Sequence, residues 1–152
     1  MTDMSLDSAM SARLARIVEA EARREAARER EPVAERERRK AREAVIAELP
    51  RLFSRLSSAV AEVNDAVAEQ NLHLHLILLG HQPTSEATYR LSVTGDPESA
   101  PHLLIGVDWT GAVRAMLHDG AERKLVLNRT IFEVERRDFL DLSLRVLEAR
   151  YG

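Results

Sequence analysis

The sequence predicts an α+β fold: long N-terminal helices followed by a mostly antiparallel sheet of four to six strands and a C-terminal helix. Three observations carry this. All six glycines fall at or after position 80, while the first 50 residues contain neither glycine nor an aromatic residue. Apolar residues recur at helical spacing from 45 to 67, and after residue 71 the period drops from about 3.6 to 2. Helices leading into hairpins and a closing helix pack most economically as an antiparallel sheet covered on one side.

The leading segment reads as a helix from about 9 to 30. Leu6, Met10, Leu14 and Ile17 begin an apolar stripe that then gives way to alanines. Such a segment is helical by propensity yet has little to anchor it. Its charge is dense and balanced, with eleven basic and eleven acidic residues among the first 50. That pattern suits a solvated helix better than an arm for polyanions. Pro32 ends this helix or begins the next, because proline is tolerated chiefly in a first helical turn.

The second helical segment carries the strongest pattern. Val45, Leu49, Leu52, Leu56, Ala59, Val63 and Ala66 recur at steps of four and three, and Ile46, Phe53, Val60 and Val67 repeat every seven beside them. The face is wider than a two-stranded seam, so it can cover a sheet and still meet a second helix or a partner chain. Pro50 lies inside the stripe without changing its phase, which predicts two nearly collinear helices or one kinked helix. Asn64 and Asp65 are expected to face water, and Gln70 and Asn71 to form the exit.

A strand follows over 72–79, where leucines at 72, 74, 76 and 78 alternate with His73, His75, Ile77 and Leu79. Residues 87–94 form a second strand, and 103–109 with 112–117 a further hairpin turning at Thr110 and Gly111. Shorter strands are expected over 124–127 and 130–135. The last helix runs from about 137 to 150, with Phe139, Leu142, Val146 and Leu147 on one face and Asp138 as its cap. Residues 1–70 then form a helical, oligomerising extension packed on the sheet, and 71–152 the sheet with its closing helix, within one domain overall.

Composition narrows the function. The 152 residues carry a formal net charge of -3 and no cysteine. Disulfides, thiolate nucleophiles and Cys-containing zinc sites are thereby excluded, and generic nucleic-acid binding loses the basic excess it ordinarily needs. No run approaches the roughly 18 apolar residues of a membrane span. Asp3 and Asp7 with no apolar stretch between basic and cleavage regions leave secretion unsupported, so a cytoplasmic location is expected.

Chemical motifs are sparse. His73 and His75 share a strand face and are the best metal candidates, with His102, His118 and Asp108 as conceivable additions; a His-x-His pair supplies two ligands of the three or four a site needs. Glu133 with Glu135, and Asp138 with Asp141, are paired carboxylates beside Arg136 and Arg137, which suits a surface salt network. Ser54, Ser57 and Ser58 lack a nucleophile turn. Isolated glycines form neither a dinucleotide fingerprint nor a P-loop. The basic cluster Arg36, Arg38, Arg39, Lys40 and Arg42 is interleaved with or flanked by Glu35, Glu37 and Glu43 and has no aromatic stacking group near it.

The expectation is therefore a non-enzymatic, chaperone- or adaptor-like module for protein binding or assembly, acting as a homodimer and needing no cofactor. Val45, Leu49, Leu52, Phe53, Leu56, Val60, Val63 and Trp109 are its candidate interface, and Leu56→Glu is expected to release a folded monomer. Any groove should lie where the wide face of helix 45–67 meets the sheet. The alternatives are a small metal-dependent enzyme using His73 and His75, and a nucleic-acid binder using Arg36 to Arg42.

Overall fold

The structure, a computed structural model, describes residues 2–30, 32–82 and 85–152, without the side chains of 2–6, 81, 82 and 85. Two long helices, α1 (Thr2–Arg30) and α2 (Val33–Ala66), precede five strands. These are β1 (Leu74–Gln82), β2 (Ser85–Val93), β3 (His102–Val107), β4 (Ala112–Asp119) and β5 (Glu122–Thr130), and α3 (Arg136–Tyr151) closes the chain. The strands form one antiparallel meander in the order β1-β2-β3-β4-β5, so the α+β layout predicted from the two periodicities is the observed one. No helix among the described residues is long and apolar enough to cross a membrane.

The chain comprises two compact units, Met1–Lys40 and Ala41–Gly152. In the first, α1 leaves Met10, Leu14, Ile17 and Val18 exposed, as a stripe that fades into alanine would. Leu6 lies outside the described side chains. The second unit starts well ahead of the change in period at residue 71, because α2 sinks Val45, Leu52, Leu56, Ala59, Val60 and Val63 into the core of the sheet. Phe139, Leu142, Val146 and Leu147 of α3 share that core. Both helices cover one face of the sheet, where Leu91, Leu103, Ile105, Val107, Val113 and Ala115 alternate inward.

Local chemistry sets the boundaries. α2 runs unbroken through Pro50, although proline has no N–H to offer the carbonyl of Ile46. Beyond α2 a 3-10 turn over Ala68–Gln70 and a left-handed Asn71 carry the chain to the sheet, so β1 starts at Leu74 rather than 72. Asp108 ends β3 before Trp109, since its carboxylate accepts hydrogen bonds from the Thr110 and Ala112 amides at 2.9 and 3.0 Å. Burial pushes the Asp108 carboxyl upward, but hydrogen bonds from Thr110 and Ala112 with the charge of Arg114 outweigh it and hold it below the usual value.

Two expectations are corrected here. Residues 130–135 are not a separate strand: β5 absorbs 124–127 in one nine-residue strand that ends at Thr130, and the chain then turns, with the Glu133 and Val134 amides both donating to the Thr130 carbonyl at 3.0 Å. Ile131 and Val134, three apart, therefore point into the core together, which a strand with its period of two would not allow. The cap of α3 is Glu135 and not Asp138. Asp138 sits at the third helical position and accepts from the Glu135 amide at 2.8 Å, completing a reciprocal capping box.

Candidate functional site

One residue step around an α-helix is about 100°, so the two seven-residue rows of α2 cannot both face the sheet squarely. The row through Val45, Leu52 and Ala59 enters the core; in the adjacent row Val60 is buried too, but Ile46 and Phe53 stay at the margin, with Phe53 45% exposed. Between this margin and the β1–β2 hairpin lies an apolar groove of about 570 Å³. Ile46, Leu49, Pro50 and Phe53 form its helical wall, and Leu76 and Leu78 its strand wall. The Phe53 ring stacks on Tyr89 with centroids 5.9 Å apart and planes at 28°. Burial raises the Tyr89 phenol above its ordinary value.

The groove ends at Glu86, which is buried and lies 2.7 Å from the Arg42 guanidinium. A carboxylate this poorly hydrated needs such a partner, and the pair ties α2 to β2. Arg42 is thus spoken for within the fold, and Arg36 donates to the backbone carbonyl of Glu29. These two members of the basic cluster are engaged by their own chain.

Beside the groove runs an open sheet edge, since β1 is an outermost strand. The Thr94 amide donates to the His73 carbonyl at 2.8 Å, which marks these residues as a hydrogen-bonded pair. Antiparallel ladders alternate, so His75 and Ile77 aim their backbone groups at β2, whereas Leu74, Leu76 and Leu78 aim theirs outward. Asn64 of α2 closes the first outward position: its Oδ1 accepts from the Leu74 amide at 2.7 Å, and its Nδ2 donates to the Leu74 carbonyl at 3.1 Å. Asn64 therefore does not simply face water, as expected from its place between apolar positions.

The histidines occupy different surroundings. Asn64 Nδ2 lies 3.3 Å from His73 Nε2, and His73 Nδ1 lies 2.9 Å from the Thr94 hydroxyl, so the ring serves the β1 entry. His75 lies on the uncovered sheet face, in register with Ser92, which in turn faces His102 and then His118. The His102 and His118 rings stack with centroids 4.8 Å apart, and the His102 Nδ1 meets the Ala100 carbonyl at 2.9 Å. Burial, and then the charges of His102, Arg123 and Arg90, lower the pKa of His118. Among the described residues no three metal-ligating side chains come together.

Of the candidate interface residues, Val45, Leu52, Leu56, Val60 and Val63 are buried in their own core, and Leu49 and Phe53 line the groove. Trp109 is exposed on the β3–β4 hairpin and does not line that groove. Of the paired carboxylates, Glu135 lies 2.8 Å from Arg137, Asp141 2.9 Å from Arg145 and Asp138 3.9 Å from Arg129. Tyr89, Leu78, Glu86 and Asn64 were not singled out as site residues by the sequence, and only the alternation of the first two within their strands hinted at a shared face. Compared with family models, curated proteins and solved structures, the chain matches none.

Proposed function

We propose that this chain is a non-catalytic protein-binding or assembly module that acts as a homodimer, with the groove between α2 and the β1–β2 hairpin as its contact surface. The observation that carries this reading is the continuity of exposed apolar side chains around the groove: Ile46 and Phe53 on one wall and Leu78, 58% exposed, on the other. Apolar side chains gathered around a concavity mark contact sites, and a stacked aromatic pair in a groove resembles the anchors that dominate interfaces. Its chemistry favours association over catalysis. The acid lining it, Glu86, is already paired with Arg42, and burial makes the Tyr89 phenol a weaker acid than usual.

Phe53→Glu tests the proposal. The substitution places a carboxylate on the exposed margin of α2, where a monomer tolerates it and an apolar interface does not. The variant is expected to keep its circular dichroism spectrum and to elute in light scattering at the 17.1 kDa chain mass, half that of the wild type. An unchanged dimer mass for a folded Phe53→Glu protein contradicts the placement of the contact in this groove.

A further inference from the structure

The two sheet edges are built differently. β5 carries Glu122, Arg123, Lys124 and Arg129, charges of the kind that keep an edge from pairing with another chain. β1 reads Leu-His-Leu-Ile-Leu-Leu-Gly-His-Gln and has no Lys, Arg, Asp or Glu. Its Ile77, Leu78 and Leu79 are all exposed, so the unguarded edge is apolar on both faces. Asn64 already occupies the outward hydrogen-bonding groups of Leu74. At the other end the register breaks on either side of Gly80, whose φ of +89° is a left-handed conformation open to glycine and strained for most residues. Between these two stops, Leu76 and Leu78 are the outward-facing rungs.

We infer that β1 pairs antiparallel with β1 of a second copy, with the two-fold axis at Ile77, joining two five-stranded sheets into one. The inference rests on the homodimer reading above and specifies its geometry. Outward residues must meet outward residues, so Leu76 of each copy faces Leu78 of the other, and both rungs exchange a pair of N–H···O bonds. The tract is self-complementary as a two-fold contact requires. A second copy fits better than a charged partner because β1 brings no formal charge to oppose itself. The guarded β5 edge stops the joined sheet from growing further, so the assembly closes at two copies. On the groove side, Leu78 of each copy comes beside Leu76 of the other and covers the strand wall beneath Phe53.

Because the chain has no cysteine, a single introduced thiol reports this geometry. At the axis, Ile77 faces its own symmetry mate as a non-hydrogen-bonded pair, with Cα atoms roughly 4.5 Å apart, within the span a disulfide accepts. His75 lies on the same face, yet its symmetry mate is four residues along the neighbouring strand, about 14 Å away. Full-length Ile77→Cys and His75→Cys proteins are oxidised mildly and compared on non-reducing gels, with their masses measured by light scattering before oxidation. The expected result is a dimer mass for both, rapid cross-linking of Ile77→Cys and little of His75→Cys. Leu78→Lys, which puts a charge on the pairing tract, is expected to halve the mass. A dimer mass without preferential Ile77→Cys cross-linking overturns the edge pairing and leaves the groove-mediated dimer standing. A monomer mass for the wild-type chain and both cysteine variants at high micromolar concentration overturns both.

Discussion

The side-chain amide of Asn64 hydrogen-bonds both the N–H and the C=O of Leu74, standing where a neighbouring strand would. A residue near the end of α2 thereby fixes where β1 begins and closes the first rung of its open edge. Asn64→Ala is expected to lower stability by about 1–2 kcal/mol, the scale for removing hydrogen bonds to a partly buried backbone. Asn64→Asp keeps the acceptor for the amide but aims a carboxylate at the Leu74 carbonyl, so it should be no better than alanine. Urea unfolding followed by circular dichroism measures both.

Leu56 and Phe53 belong to the same apolar face of α2 and are expected to respond in opposite ways. Leu56 is 0% exposed, so Leu56→Glu buries a charge and should unfold the second unit, with a loss above about 4 kcal/mol. This replaces the expectation from sequence that Leu56→Glu yields a folded monomer. Phe53→Glu should cost the monomer only about 1 kcal/mol, through the lost stacking on Tyr89. Thermal unfolding of the two variants side by side separates the residues.

Gly111 has a φ of +91°, and a Cβ placed there would lie 3.1 Å from Val45 Cγ2 and 3.4 Å from Ile131 Cγ2. Both neighbours are buried core residues with little room to give. Gly111→Ala should therefore destabilise the fold by about 1–3 kcal/mol, combining left-handed strain with crowding. Gly120→Ala is a fitting control, since its positive φ meets open space. Equal unfolding midpoints for the two variants would remove the crowding.

His118 gives the stability a pH dependence of known sign. Its pKa in the fold is lowered from 6.5, chiefly by burial and then by His102, Arg123 and Arg90, so the unfolded chain takes up the proton first as pH falls. The contribution of His118 is thus fully present above about 6.5 and declines as pH drops below it toward the folded value. His118→Gln should flatten the fall in urea midpoint between about pH 7 and 5 relative to the wild type. A steeper fall in the variant would reverse the sign.

The fold class was legible because two periods dominate the chain, the helical one over 45–67 and the alternation after 71. The groove lies where the wide face of α2 meets the sheet, the place to which the breadth of that face pointed. What the sequence did not reveal was which positions of that face go in. Val45, Leu52 and Leu56 are as apolar as Ile46 and Phe53, and only the packing angle of the finished helix separates core from margin. The role of Asn64 was invisible for a related reason, because its partner Leu74 lies beyond a turn whose geometry depends on a left-handed Asn71. Residues 130–135 misled because Ile131 and Val134 satisfy a helical turn while their neighbours mimic alternation.

In the proposed assembly, the apolar margin between α2 and β1 is the interface between two copies. Light scattering coupled to size exclusion, run on the wild-type chain over a dilution series, tests it most directly. The expected result is a species of twice the 17.1 kDa chain mass at micromolar concentrations and above, giving way to the single chain only on strong dilution. A mass of 17.1 kDa persisting at high micromolar concentration would contradict it.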